Sequence, residues 1–391
     1  MPDLNLLTQI SSPLSGARTY GIDALSANKE KRTGVENYSR SLISAMKTHA
    51  LLGGERVVLY SKKKLSEPLG TLPEGWSSAL LGWPLKRGWM AIRMSWELVR
   101  RTPDVLFVPG QALPWITKHR TVTTIHDLAY VRRPDLYDPA VRRRLRRVTK
   151  RSAKNAVKII VPSNATKKDL MELYHTPEEK ITVTHLCADT TLYRPYTQEE
   201  ARPVLQKHRL STNYFLVVGR LEKKKNIITI IKAFELFKNR RGVGDPFELI
   251  FVGDPGYGYE EMKKYFELSA HKDQMRQLGY VEDAEVAQLM SQATAYLFPS
   301  WYEGFGIPNL EAMATGVALI TSDIPVHKEV VGDAGLFVPP GEPEAWAHAL
   351  ERIVKDGTLR TELIAKGKAR VQQFSWAKTA EQTWEVLRSL V

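Results

Sequence analysis

The stretch SWYEGFGIPNLEAMATG, residues 300–316, has one glutamate on each side of a glycine-rich turn. The apolar run AYLF, residues 295–298, predicts a β-strand that ends just before Pro299, because short apolar runs bounded by turn residues are typical of buried strands. Helix signals begin at Pro308, since proline is favoured in the first turn of a helix. The pattern therefore predicts Glu303 on a strand-to-helix loop and Glu311 about one turn inside the helix.

A helix that begins after this turn offers a binding site for an anion. Its first N–H groups have no partner within the helix, and its positive dipole end attracts a group such as a diphosphate. Gly304 and Gly306 allow a ligand to approach the backbone closely, and carboxylates accept hydrogen bonds from hydroxyls. The turn therefore favours a nucleotide sugar, although the same residues also fit a plain turn before a solvated helix.

A second segment, FLVVGRLEKKKNI, supplies positive charge after another predicted strand. The strand ends at Gly219, and loops at the carboxyl ends of parallel strands line the ligand crevice of open α/β sheets. Arg220 offers a planar fork and Lys225 a point charge, and both suit a diphosphate. Lys223 and Lys224 are expected to be solvated, as runs of lysine usually are.

The segments GRLEKKKN and EGFGIPNLEAMATG together resemble family 4 of the retaining glycosyltransferases, which have the two-domain GT-B fold. The resemblance runs from about Thr19 to the C-terminus. It implies that Glu311 accepts hydrogen bonds from the ribose of a donor and Glu303 from the donor sugar. It also implies metal-independent transfer, in which the acceptor hydroxyl attacks from the leaving-group face and a phosphate oxygen takes its proton.

Other expected site residues follow from the same resemblance. His126, after the strand-like run VTTI, is expected to contact the donor sugar, and Asp127 to orient its loop. A helix is expected to begin at Gly34, with its first N–H groups near the donor phosphates. The residues expected to act through backbone N–H groups are Phe305, Gly306 and Ile307.

Alternating apolar runs and helix-like segments predict an α/β protein with two doubly wound, Rossmann-like domains, and the resemblance implies that these domains face a central cleft. The predicted strands are 19–23, 57–60, 105–108, 121–125, 158–161, 214–218, 248–252, 295–298 and 318–321. A polar, proline-bearing segment predicts the boundary between an acceptor-side domain, 1–193, and a nucleotide-sugar domain, 194–374. By the resemblance, the last helix, 375–391, returns to the first domain.

Composition narrows the class of protein. The 391 residues are 43% hydrophobic and 25% charged, as in ordinary soluble proteins. The first 193 residues hold 31 of the 56 Lys and Arg but only 17 of the 43 Asp and Glu, so this half is the basic one. With one cysteine, Cys187, no intramolecular disulfide can form, and a cytoplasmic location is expected. We expect no metal site, signal peptide or membrane span.

The segment AVRRRLRRVTKRSAKNAVK, residues 140–158, carries nine basic and no acidic residues. A solvated helix, a nucleic-acid contact and an anionic membrane surface all fit this charge. We favour the membrane surface, which would place the protein peripherally on the inner face of the membrane, and we expect no nucleic-acid partner.

A tryptophan-rich stretch, residues 75–101, also contains several basic residues. Its Trp96 is expected to lie in the core.

The predicted function is a retaining, metal-independent hexosyl transfer to a glycan or lipid-linked glycan in cell-surface polysaccharide synthesis. The segments TGVENYSRSL and TIHDLAY are similar to bacterial polysaccharide mannosyltransferases, so GDP-mannose is the leading donor. The alternatives are glucosyl or other hexosyl transfer from a UDP-sugar, and a GT-B epimerase of UDP-sugars, which the paired glutamates disfavour. A non-enzymatic, basic nucleic-acid- or membrane-binding protein is the third.

Overall fold

Parallel strands and intervening helices account for most of the chain. The computed structural model describes residues 18–29, 34–85, 87–116, 120–242 and 244–391. The strands are β1 Arg18–Asp23, β2 Glu55–Ser61, β3 Trp76–Leu80, β4 Val105–Val108, β5 Arg120–Thr124, β6 Lys158–Val161, β7 Ile181–Val183, β8 Tyr214–Val218, β9 Glu248–Val252, β10 Met275–Gln277, β11 Ala295–Phe298, β12 Leu319–Ser322 and β13 Leu336–Val338. The α-helices are α1 Gly34–Met46, α2 Ser95–Arg100, α3 Ala129–Arg132, α4 Pro139–Asn155, α5 Asn164–Tyr174, α6 Gln198–His208, α7 Ile227–Arg241, α8 Tyr259–Leu268, α9 Asp283–Gln292, α10 Ile307–Thr315, α11 Pro325–Val331, α12 Pro343–Lys355, α13 Gly357–Val371 and α14 Trp376–Arg388.

The strands form two sheets with the order expected of doubly wound folds. In the described ranges the first sheet runs β3-β2-β1-β4-β5-β6-β7 and the second β10-β9-β8-β11-β12-β13. The pairings that define the second sheet are all parallel. Its order reverses between β8 and β11, which makes this pair the topological switch point. The predicted α/β, doubly wound architecture is therefore confirmed.

All nine predicted strands are present, and the four strands that sequence reasoning missed are the edge strands of the two sheets, β3, β7, β10 and β13. A central strand of a parallel sheet is covered on both faces and reads as a continuous apolar run. An edge strand is more exposed, as the sequence WSSAL of β3 shows, in which only Trp76 is buried. The apolar signal on which the prediction rested is therefore weak at the edges.

The chain divides into two compact units. Of the described residues, those within 18–124, 155–158 and 380–391 belong to unit 1, and those within 125–154 and 159–379 belong to unit 2. The domain boundary expected after residue 193 stays a prediction.

In unit 2, aromatic side chains of the second sheet and of α7 form the centre of the core. Phe215 of β8 contacts Phe234 and Phe237 of α7, and it stacks on Phe247 at 5.3 Å between ring centroids. Trp346 of α12 is fully buried in the same cluster. Burial of this apolar surface holds α7 and α12 against the sheet.

In unit 1, the end of α14 packs into the core. The Trp384 ring lies edge-on to Tyr20 at 5.3 Å and to Trp76 at 6.2 Å, and its Nε1 donates to the Met46 carbonyl at 3.2 Å. The Arg388 guanidinium pairs with Glu55 at 2.7 Å. These contacts anchor the C-terminal residues of the chain within unit 1.

The expectation that Trp96 belongs to the core is wrong, because 51% of its surface is exposed. The guanidinium groups of Arg93 and Arg100 lie over its ring, at 4.9 and 4.6 Å from the centroid. Among the described residues, no helix is both long enough and apolar enough to cross a bilayer.

We expect Trp384→Ala to lower the free energy of unfolding by about 3 to 5 kcal/mol, because it leaves a cavity in the core and removes the indole hydrogen bond to the Met46 carbonyl. Urea unfolding followed by circular dichroism measures the change. Trp96→Ala is the matched control, because this tryptophan is half exposed. Equal losses in the two variants would contradict the packing role of α14.

Candidate active site

The two loops that carry the main predicted site residues leave adjacent strands. Gly219 and Arg220 follow β8, and Glu303 lies between β11 and α10. Since β8 and β11 pair in parallel at the switch point, their loops begin at the same edge of the sheet. This edge is where doubly wound folds bind ligands.

A buried ion cluster joins the two loops. Lys225 Nζ donates to Glu303 Oε1 at 2.7 Å, and Lys224 Nζ lies 3.5 Å from Glu303 Oε2. Lys224 Nζ also lies 3.6 Å from Asp127 Oδ2. The Trp301 N–H donates to the Lys224 carbonyl at 3.0 Å. These contacts hold the β11 loop against the lysine-rich turn.

The charges of this cluster stabilise one another. Although burial acts in the opposite direction, Lys224 and Lys225 lower the pKa of Glu303 to about 2. Burial likewise disfavours the charged form of Lys224, but Glu303 and Asp127 raise its pKa well above the usual range. The expectation that Lys224 is solvated is wrong, because its side chain is only 14% exposed and contacts two carboxylates.

Gly304 allows the β11 loop to pack against the segment after β5. A Cβ at this position would lie 1.7 Å from the backbone oxygen of His126 and 2.9 Å from the Asp127 Cβ. The Gly304 carbonyl in turn accepts hydrogen bonds from the Ser163 and Thr166 hydroxyls, at 2.6 and 3.1 Å. The structure therefore brings His126 and Asp127 next to the turn that carries Glu303.

The turn ends in a set of free backbone donors. Gly306 has φ of 90°, the left-handed region that favours glycine, and α10 begins at Ile307 as the proline signal predicts. In the described part of the chain, the N–H groups of Phe305, Gly306 and Ile307 have no hydrogen-bond acceptor. Unpaired N–H groups at a helix start bind phosphate oxygens.

Arg220 and Lys225 lie on the same loop. The Arg220 side chain is exposed, its Nε donates to the Pro255 carbonyl at 3.3 Å, and no described carboxylate pairs with its guanidinium. Gly219 has φ of 133°, and a Cβ there would lie 3.5 Å from Lys225 Cε. The positive φ therefore favours glycine here, and the loop presents a guanidinium without a carboxylate partner in the described ranges beside an ammonium group that is paired with Glu303.

Glu311 lies inside α10, where the sequence places it. Within the described ranges, no hydrogen-bond donor or cation pairs with its carboxyl group. Burial, with the charges of Asp283 and Asp189 and against that of Lys225, raises the pKa of Glu311 to about 8. The residue is half-buried, so a ligand hydroxyl can reach the carboxyl group and form a hydrogen bond with it.

Gly34 and the side chain of Phe305 do not belong to the ion cluster around Glu303. Gly34 begins α1 in unit 1, and its role toward a donor stays a prediction. The Phe305 side chain is buried and packs against His185 and Phe374 at ring distances of 5.9 and 6.0 Å. Only the backbone of Phe305 is therefore available to a ligand.

Sequence reasoning missed His327, which lies behind the glycine turn. The residue is fully buried, and burial lowers the pKa of its imidazole to about 4. Its Nδ1 lies 2.8 Å from Thr321 Oγ1, and its Cδ2 would lie 3.5 Å from a Cβ at Gly306. A neutral ring thus supports the turn. A lone histidine in SDIPVHKE carries no signal for this role without the fold.

Among the residues that the structure describes, no three His, Cys, Asp or Glu side chains lie together in a way that could hold a metal ion. Metal independence stays a prediction.

Comparison with known proteins identifies the family. The Glycosyltransferase Family 4 model matches residues 32–192, and the Glycosyl transferases group 1 model matches residues 198–370. The chain is 31% identical over 292 residues to O-antigen chain mannosyltransferase B of Escherichia coli, covering 74% of this chain and 76% of that protein. The chain is a family 4 glycosyltransferase.

A second relative and the solved structures agree with this membership. The family 4 enzyme is 30% identical over 274 residues to O-antigen chain mannosyltransferase RfbU of Salmonella typhimurium, covering 70% of each chain. Its fold matches Anabaena Alr3699/HepE, solved in complex with UDP-glucose, with a TM-score of 0.74 at 17% identity, over 95% of this chain and 99% of that one. The predicted family, enzyme class and GT-B fold are confirmed, and the non-enzymatic alternative is wrong.

We expect Gly304→Ala to abolish most of the glycosyltransferase activity, because the added Cβ would overlap the His126 carbonyl and displace the turn that carries Glu303. Activity and thermal unfolding are measured side by side. Gly357→Ala is the matched control, because a Cβ there meets no atom within 4 Å. Full activity of Gly304→Ala would show that the turn tolerates displacement.

The raised pKa of Glu311 predicts a pH-dependent stability. Between its ordinary value of 4.5 and about 8, the native carboxyl group keeps a proton that the unfolded chain has released. The stability that this neutral group contributes is therefore present at low pH and lost as the pH rises toward 8. Relative to Glu311→Gln, the free energy of unfolding of the native chain should fall by about 1 kcal/mol for each unit by which the pH rises in this range.

Urea unfolding at several pH values from 5 to about 8 tests this expectation. The exposed Glu381→Gln of α14 controls for removal of a charge. A difference between Glu311→Gln and the native chain that does not change with pH would contradict the neutral state of Glu311.

Proposed function

We propose that this glycosyltransferase moves a hexose, with mannose the leading candidate, from a nucleotide-diphosphate donor bound at the candidate site, with retention of configuration. One observation carries the proposal. The two loops that leave β8 and β11 at the switch point of the second sheet carry the Lys225–Glu303 pair, the Arg220 guanidinium and the start of α10, whose first N–H groups have no acceptor in the described ranges. Fixed positive groups beside a carboxylate suit a diphosphate attached to a polyhydroxylated sugar.

The diphosphate is the leaving group, and its negative charge grows as the bond to the sugar breaks. Arg220 contributes a guanidinium that has no carboxylate partner, so it can pair with a phosphate. Lys225 has three donors, of which Glu303 uses one. The backbone N–H groups of Phe305, Gly306 and Ile307 add neutral donors. Groups already in place when this charge develops stabilise the transition state more than the bound donor.

The two glutamates would hold the hydroxyls at the ends of the donor. Glu311, neutral and unpartnered, would bond the ribose, and Glu303, held ionised by two lysines, would accept from the donor sugar. His126, whose backbone contacts Gly304, would orient that sugar. In this proposal the acceptor hydroxyl attacks from the leaving-group face, and a phosphate oxygen takes its proton.

The relatives' names support mannose as the transferred sugar. Two relatives at 30% and 31% identity are O-antigen mannosyltransferases. GDP-mannose is therefore the first donor to test, and a UDP-hexose the second, since the structural neighbour HepE holds UDP-glucose. Turnover of each donor, with and without a glycan acceptor, identifies the sugar and separates transfer from epimerisation, which needs no acceptor.

The basic helix α4 supports an acceptor presented at a membrane. Its buried side chains are Thr149, Ser152 and Ala153, toward its C-terminal end. Arg143, Arg144, Arg146, Arg147 and Lys150 are exposed, and none pairs with a carboxylate in the described ranges. Several unpaired cations on one helix attract anionic lipid headgroups. We therefore propose a lipid-linked glycan acceptor, used at the cytoplasmic face of the membrane.

We expect Arg220→Ala and Lys225→Ala to lower kcat about a hundredfold or more, because each removes a cation that stabilises the leaving diphosphate. The affinity for the nucleoside diphosphate should fall much less. Steady-state kinetics with GDP-mannose and calorimetric titration with GDP measure the two effects.

Lys223→Ala is the matched control from the same lysine run, since its side chain is 40% exposed and pairs with Glu261 instead. Equal losses in kcat and in nucleotide affinity would argue against a transition-state role for Arg220 and Lys225.

A further inference from the structure

The helical segment Trp89–Arg100 has apolar residues on two sides. It consists of a π-helical stretch, Trp89–Met94, followed directly by α2. Trp89, Met94 and Leu98 are buried in unit 1, whereas Ile92, Trp96 and Val99 are 46%, 51% and 57% exposed. The spacing of these three puts them in one line along the helical surface. We call Ile92, Trp96 and Val99 the Trp96 stripe.

Positive charge surrounds the Trp96 stripe. The guanidinium groups of Arg93 and Arg100 both lie over the Trp96 ring. Residues 81–101 contain a single acidic residue, Glu97, which is buried and pairs with Arg93 at 3.0 Å and with Arg101 at 3.8 Å. Arg93 is only 17% exposed, whereas Arg100 and Arg101 are exposed, so the outward side of this segment is apolar in the middle and cationic at its C-terminal end.

We propose that the Trp96 stripe inserts into the interfacial layer of an anionic bilayer. Tryptophan prefers the headgroup level of a membrane, and an amphipathic helix lies in that plane with its apolar side chains below and its arginines at the lipid phosphates. A second copy of this chain fits less well, because Arg93 and Arg100 would face the same cations across a symmetric contact. A soluble glycan also fits less well, because the aliphatic side chains of Ile92 and Val99 can neither stack on a sugar ring nor form hydrogen bonds with its hydroxyls.

The stripe differs from α4 in how it would bind. The exposed residues of α4 attract lipid by charge, and this attraction weakens with salt as the screening length falls. Insertion of Ile92, Trp96 and Val99 removes apolar surface from water, and this contribution persists at high salt. The stripe therefore predicts a salt-resistant part of membrane binding. It does not rest on the proposed transfer reaction, because lipid binding needs no donor.

The test is co-sedimentation of the full chain with vesicles of phosphatidylcholine alone or with about a third phosphatidylglycerol, at about 0.15 M and about 0.5 M salt. Ile92→Ser, Trp96→Ser and Val99→Ser are combined in one variant. We expect this variant to partition about tenfold less into anionic vesicles and to lose the salt-resistant binding. Trp115→Ser, which changes a tryptophan that is 66% exposed in unit 1, should bind like the native chain.

A single substitution that keeps an aromatic ring provides an independent readout. Brominated lipids should quench the fluorescence of the native chain more than that of Trp96→Phe, because quenching requires contact of the indole with the acyl chains. Circular dichroism verifies that all variants fold.

Several results would overturn the proposal. One is native binding to anionic vesicles that the triple variant retains in full, and another is an absence of native binding to either vesicle. Equal quenching of the native chain and Trp96→Phe would exclude insertion. A triple variant that changes from dimer to monomer in light scattering, with lipid binding unchanged, would assign the stripe to contact between copies. Each of these outcomes leaves the donor-turnover test of the proposed transfer unaffected.

Discussion

The buried pairing of Glu303 with Lys224 and Lys225 is the interaction on which the arrangement of the site depends. A carboxylate removed from water is costly unless opposite charges and hydrogen bonds replace the lost solvation. Here two ammonium groups do so, and they hold the loop after β11 against the turn after β8. The backbone hydrogen bond from the Trp301 N–H to the Lys224 carbonyl acts in the same direction, and together these contacts fix the turn that carries Glu303 against the lysine-rich turn.

The order of the strands makes this pairing possible. Lys225 and Glu303 are 78 residues apart in sequence, but β8 and β11 are neighbours because the order of the second sheet reverses between them. The same edge thus receives a basic turn from one strand and a glycine turn with a helix start from the other. The two glutamates at this edge have pKa values shifted in opposite directions, because Lys224 and Lys225 act on Glu303, whereas burial and two aspartates act on Glu311.

Sequence reasoning was accurate where burial on both faces leaves a continuous apolar run, and it failed where exposure removes that run. The nine central strands were predicted, and the four edge strands were missed. The burial of two side chains, Lys224 and Trp96, was also predicted wrongly, once in each direction. A lysine in a basic run was expected in solvent but lies between two carboxylates, and a tryptophan was expected in the core but lies half exposed. Residue type alone does not report which face of an element is covered.

The sequence by itself determined the class of fold, the family and the local chemistry of the two turns. These depend on apolar periodicity, on glycine and proline positions, and on spacing within short segments such as Glu303 to Glu311, and each is a property of nearby residues. Only the tertiary structure decided that Lys224 joins Glu303 to Asp127, that burial and two aspartates raise the pKa of Glu311, and that His327 lies behind the turn at Gly306. Partners and burial arise from segments far apart in the chain, and a pKa follows from both.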